Sequence, residues 1–238
     1  GGTFTASNYN ISYTNGTLNV TPANITVTTN NQSRVYGNAN ANFGMVTLTS
    51  GSLYNGDTLG NATLSTAATV TSNVGNYTLV GSAQTLSAGQ ISNYNIAYVN
   101  GTLNVTPAAL TITANSTSTQ YGLGTTLGTT AFTTSGLMNS ETVGSVVLAS
   151  AGSVATTNVG GYNITAASAT GGTFSASNYN IAYVNGSLTV TPASITVSTN
   201  NQSRSYGSAN PTSGTVTLTS GTLYNGDTLG NATLTSAA

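Results

Sequence analysis

Cysteine, histidine and tryptophan are absent from this 238-residue sequence, and its two basic side chains are both arginines, so lysine is missing as well. Charged residues make up 2% of the chain, against about 25% in an average globular protein. Each absence removes a class of function. Without cysteine or histidine there is no thiolate nucleophile, no imidazole base and no zinc site of the usual ligand types. Two arginines, Arg34 and Arg204, cannot neutralise a run of phosphates, which excludes nucleic acid as a partner. The acids Asp57, Glu141 and Asp227 lie far apart in sequence and are too few for a calcium cage. An enzyme is therefore not expected, nor any metal or cofactor. Without lysine, lysine–asparagine cross-links are excluded too. No apolar run approaches the roughly 18 residues of a membrane span.

The residues present are small, β-branched and neutral. Leu, Val, Ile and Phe supply 48 of 238 positions, at the border of what a packed core needs. A net charge of −1 and 13 tyrosines argue against disorder, which usually pairs low hydrophobicity with high charge. A thin core is expected, and with it a large role for contacts between neighbouring units.

The organisation is a repeat with a period of 85, the step from Tyr9 to Tyr94 and again from Tyr94 to Tyr179. Pro22, Pro107 and Pro192 keep that spacing, as do the Tyr-Gly pairs at Tyr36, Tyr121 and Tyr206. Residues 1–68 and 171–238 agree at 52 of 68 positions, so the pattern is A-B-A, with a one-residue slip near Glu141 in the middle copy. Boundaries drawn after the prolines give the end of one repeat (1–22), complete repeats at 23–107 and 108–192, and the start of another (193–238), as if cut from a longer array.

Within a repeat, ITVTTN (25–30), MVTLTS (45–50), ATLST (62–66), ATVTS (68–72) and NYTLV (76–80) alternate apolar residues with Thr, Ser or Asn. That period of two marks half-buried strands. No stretch keeps a helical period beyond two turns. The expected fold is all-β: tandem small β-sandwich (Ig-like) domains arranged as beads on a string, with β-grasp-like units as the alternative. In NYNIAYVNGTLNVTPA (93–108), Tyr94, Ile96 and Tyr98 share one face. Asn100-Gly101 then reads as a two-residue hairpin turn needing positive φ, as do Asn15-Gly16 and Asn185-Gly186. Pro107 closes the segment because it cannot donate to a ladder. By the same alternation, Tyr9 and Tyr13 share a face with Ile11 and are expected in a core.

Four strings carry a family resemblance: LTITAN…QYG (110–122), NGDTL (55–59), SNVGNYTL (72–79) and SNYNIAYVNGTLNVTPA (92–108). Together they resemble the MBG repeat of the YGX type, over the whole chain as partial, full, full and partial copies. The family's Tyr-Gly-Asp becomes Tyr36-Gly37-Asn38, Tyr121-Gly122-Leu123 and Tyr206-Gly207-Ser208 here. Its Asn-Gly-Asp is kept at Asn55-Gly56-Asp57 and Asn225-Gly226-Asp227 and becomes Asn139-Ser140-Glu141 in the middle. The resemblance implies a stalk of very large secreted bacterial surface proteins, often of the filamentous-haemagglutinin kind, with no enzymatic activity.

Two further features invite a functional reading. Arg34 and Asp57 recur together as Arg204 and Asp227, which suggests a structural ion pair within a repeat. Asn-x-Ser/Thr triplets occur at 14 asparagines, most simply explained by threonine alternation on solvated strand faces. The expected function is a structural or adhesive shaft of an extracellular, secreted or cell-surface bacterial filament. Its expected partner is itself, through lateral or filament association; a glycan-binding module acting by avidity is the alternative, with glycans or cell surfaces as partners.

Overall fold

The computed structural model describes residues 2–236. The chain forms two compact units. The first comprises residues up to Arg34, Ala39–Thr69 and Asn76–Asn104; the second comprises Val35–Asn38, Val70–Gly75 and the residues from Val105 on.

In the first unit the strands are β1 (Ala23–Thr29), β2 (Gln32–Val35), β3 (Phe43–Ser50), β4 (Thr58–Leu59), β5 (Asn61–Ser65), β6 (Gly75–Ser82), β7 (Leu86–Ala88), β8 (Tyr94–Val99) and β9 (Gly101–Thr106). Seven of them follow one hydrogen-bonded path, β2-β9-β6-β5-β3-β1-β8. Strand β3 bridges its two halves, pairing with β1 through Val46–Ser50 and with β5 through Phe43–Met45. The alternation read from sequence sets the core: Ile25 and Val27 from β1, Val46 from β3, Ala62 from β5 and Tyr94 from β8 pack together as buried residues. Burying each larger aliphatic side chain contributes about 1.5–3 kcal/mol.

The second unit contains β10 (Ala108–Ala114), β11 (Thr117–Gln120), β12 (Phe132–Ser135), β13 (Val143–Ala149), β14 (Gly160–Gly172), β15 (Tyr179–Val184) and β16 (Gly186–Thr191). It also holds β17 (Thr196–Thr199), β18 (Ser213–Gly214), β19 (Val216–Ser220) and β20 (Ala232–Thr233). Here the two halves are separate sheets, β12-β10-β15 and β11-β16-β14-β13. Both units are thus built from β-sandwich repeats. The only helices among the described residues are 3-10 turns of three residues, such as Ile91–Asn93, so the β-grasp alternative lacks its helix.

Three local expectations are corrected. Strands β8 and β9 do not form a hairpin: β8 lies parallel to β1, while β9 sits between β2 and β6. The same holds for β15, parallel to β10, and β16, parallel to β11. Asn100-Gly101 and Asn185-Gly186 are corners between sheet halves, and neither pair has positive φ, nor does Asn15-Gly16. Glycine is required for a different reason. A Cβ on Gly101 would stand 2.3 Å from the Thr29 carbonyl oxygen, and one on Gly186 would stand 2.5 Å from that of Ala114. Residues 68–72 are a loop, not a strand. Arg34 and Asn40 explain it, since Arg34 Nη2 donates to the Thr69 carbonyl and Asn40 Nδ2 to the Ala68 carbonyl. Finally, Tyr9 and Tyr13 are exposed, not packed in a core.

Candidate functional site: a tyrosine–carboxylate joint

Positive-φ turns of the kind expected at Asn100-Gly101 occur elsewhere. Asn55-Gly56, Asn139-Ser140 and Asn225-Gly226 all have φ above zero at both positions. In each, the acid's backbone N–H closes the turn onto the residue three before it, 2.9 Å for Asp57 to Tyr54, Glu141 to Met138 and Asp227 to Tyr224. Each turn therefore delivers one carboxylate in the same pose.

The carboxylate is held by tyrosine. Tyr94 Oη donates to Asp57 Oδ2 at 2.7 Å and accepts from the Tyr54 backbone N–H at 2.8 Å. Tyr179 repeats this in the second unit, donating to Glu141 Oε2 at 2.6 Å and accepting from the Met138 N–H at 2.9 Å.

A second tyrosine reaches the same acid from far away in sequence. Within the second unit, Tyr36 Oη donates to Glu141 Oε1 at 2.5 Å, and its ring meets Tyr179 edge-on with centroids 5.6 Å apart. Tyr36 is almost wholly buried there, although its sequence lies in the first repeat. The 70–75 loop joins it: Asn178 Oδ1 accepts from Val74 N–H, Asn178 Nδ2 donates to Asn73, and Asn139 Nδ2 to the Val70 carbonyl.

The arrangement recurs one repeat later. Tyr121 Oη donates to Asp227 Oδ2 at 2.9 Å, its ring lies edge-on to Tyr224 at 6.4 Å, and Asn225 Nδ2 donates to the Ala155 carbonyl. Glycine after each of these tyrosines is obligatory twice over. Gly37 and Gly122 have φ of +84° and +90°, and a Cβ on them would collide with Met138 and Tyr224.

Electrostatics follow the burial. Tyr179 is pushed up to about 12 by burial and then by its hydrogen bond to Glu141. Tyr36 is raised for the same two reasons in the same order. For Tyr94 the Tyr54 N–H pulls downward, and burial with the Asp57 carboxylate outweighs it. These hydroxyls stay protonated donors across the physiological range. The carboxylates serve as acceptors, an arrangement suited to fastening loops.

The profile of the MBG domain (YGX type) family matches residues 25–104 and 110–189. The chain belongs to that family. Two adjoining matches make it a tandem MBG-repeat protein, of a domain type generally found in surface proteins. No curated protein matches it at a significant level. The Tyr-Gly loops at 36–37 and 121–122 fall inside the two matched MBG repeats.

The ion pairing expected within each repeat is replaced by other partners. Arg34 Nε donates to Asn40 Oδ1 at 2.7 Å, and Asp57 is held by Tyr94. Arg204 reaches the Ser208 carbonyl at 3.2 Å, while Asp227 takes Tyr121. The joint itself escaped the sequence reading, yet a signal was there. The middle MBG repeat loses the arginine, which becomes Thr119, but keeps both the acid and the tyrosine. Among the described residues no group of three or more Asp, Glu, His or Cys could hold a metal ion, and no helix is long and apolar enough to cross a membrane.

Proposed function

We propose that these MBG repeats form a non-enzymatic structural shaft of an extracellular bacterial surface filament, adhesive in role and self-associating into fibres. The observation that carries this reading is the joint made twice: a Tyr-Gly loop written in one repeat hydrogen-bonds the acid of the next, at Glu141 and again at Asp227. A chain whose repeats share side chains in this way resists bending at its junctions. The short Thr106–Ala109 connection adds to that resistance. A net charge of −1 leaves little repulsion against close side-by-side packing, and no lysine guards the exposed strand edges. All three acids have tyrosine partners, and histidine, cysteine and lysine are missing, so no residue set for catalysis stands out.

Small-angle scattering of the purified chain tests the stiffness. The wild type is expected to show less conformational spread than the Tyr36→Ala, Tyr121→Ala double variant. Identical profiles would remove the joint from the account. Electron micrographs of native material test the filament itself.

A further inference from the structure

The edges of the sheets are unequally protected. In the second unit the two sheets of the complete repeat end at β11, β12, β13 and β15. Strands β11 and β12 are four residues long, and β13 carries a register shift between Ser145 and Val147. In the first unit the long sheet ends at β2 and β8. Strand β2 has four residues and bears Arg34. Shortness, a bulge and a charge are the usual guards of an edge. Strands β8 and β15 have none of them. Each is six residues of the same sequence, YNIAYV, without Pro, Gly or charge. Each pairs with its inner neighbour over six successive positions without a shift.

No strand lies beyond β8 or β15 among the described residues. Asn95, Ala97 and Val99 are exposed on β8, as are Asn180, Ala182 and Val184 on β15. The alternate positions of β8, Tyr94, Ile96 and Tyr98, pack into the core. The Tyr94 and Tyr98 hydroxyls accept from the backbone N–H of Tyr54 and Gln84, and those of Tyr179 and Tyr183 from Met138 and Ala169. These bonds anchor each strand to its own repeat through its inner face and leave the outer rim uncovered. The uncovered rim is a property of the repeat. Strand β15 sits in the repeat that is joined on both sides, by Tyr36 to Glu141 and by Tyr121 to Asp227, and neither neighbour pairs with it.

We propose that β8 and β15 are docking edges for a second copy of this chain, each pairing antiparallel with an identical edge of its partner. This rests on the shaft reading above and gives its self-association a surface, joining shafts side by side. The chemistry of the rim selects the occupant. An uncharged edge of alternating N–H and C=O groups is complementary to itself, and a net charge of −1 sets little repulsion between two copies. Facing residues of an antiparallel pair point to the same side of the sheet, so exposed residues face exposed ones. Ala97 and Ala182 are the middle of the three exposed positions on their strands. Pairing centred there sets alanine opposite alanine, in a self-matching, isologous contact.

Sedimentation at rising concentration tests it, with the whole chain throughout and circular dichroism to check each fold. The wild type is expected to associate. Ala97→Lys with Ala182→Lys sets like charges opposite each other and is expected to weaken association about tenfold. Ala97→Glu with Ala182→Glu is expected to do the same. Mixing the two double variants is decisive, because lysine then faces glutamate. The mixture should associate at least as well as the wild type, and added salt should weaken it. Ala97→Ser with Ala182→Ser, small and neutral, should leave association unchanged. Lysine variants that associate like the wild type would overturn the edge while leaving self-association in place. A mixture no better than either variant alone would overturn the antiparallel pairing. A monomeric wild type would overturn docking between copies, and the scattering of the single chain would then test the shaft by itself.

Discussion

The stretches 8–23 and 93–108 are nearly identical in sequence, and they do not have the same structure. In 93–108, Tyr94 is 8% exposed, Leu103 3% and Val105 fully buried, on strands β8 and β9. In 8–23 the counterparts Tyr9, Leu18 and Val20 are 64%, 91% and 84% exposed, and the segment up to Pro22 has no strand. A Cβ added to Gly101 would run into the Thr29 carbonyl, while one added to Gly16 would meet nothing within 4 Å. The difference is the partner. Strand β8 lies beside β1, with Tyr94 opposite Ala23. Tyr9 has no such strand beside it among the described residues. Alternation marks a segment as able to form a strand, and a neighbour distant in the chain makes it one.

The largest effect is expected at the leucines. Leu103→Ala is expected to lower the stability of the first unit by about 2–5 kcal/mol, and Leu18→Ala by nothing measurable, both read from denaturant unfolding. A smaller loss, about 1–3 kcal/mol, is expected for Glu141→Ala, which strands the hydroxyls of Tyr36 and Tyr179. Glu141→Gln keeps an acceptor and should recover most of it.

Alkaline pH probes the same hydroxyls. In the fold Tyr179 holds its proton to about 12, against 10.0 for an ordinary tyrosine. The unfolded chain therefore sheds that proton first, and the contribution is complete below pH 10 and lost as pH rises from 10 to about 12. Spectrophotometric titration should find a tyrosine transition near pH 12 that Tyr179→Phe removes. Denaturant midpoints of the second unit should fall through the same window. The smallest effect is a gain. Ser140 sits at φ of +58° where the other two turns have glycine, so Ser140→Gly should stabilise by about 1 kcal/mol in thermal unfolding.

How much of this was legible is itself uneven along the chain. Alternation located β1, β3, β5 and β6, because it is a local property that burial on one face enforces. The spacing of Pro22, Pro107 and Pro192 revealed the repeat. Asn100-Gly101 misled because two physical needs select the same residue, positive φ in a turn and room for a passing carbonyl. Only the second applies there. Parallel pairing of β8 with β1 was hidden, since no local pattern encodes a partner so distant in sequence. The charges of Arg34 and Asp57 suggested attraction between them. Partially buried tyrosine hydroxyls and backbone carbonyls proved the stronger claimants in a chain so short of charge.

The central claim is that a tyrosine of one repeat and an acid of the next act as one unit. A double-mutant cycle of Tyr36→Phe and Glu141→Ala, followed by denaturant unfolding of the second unit, tests it most directly. The account predicts a coupling energy of about 1.5–3 kcal/mol, as for a hydrogen bond to a charged group. Additive losses, with coupling below about 0.5 kcal/mol, would contradict it.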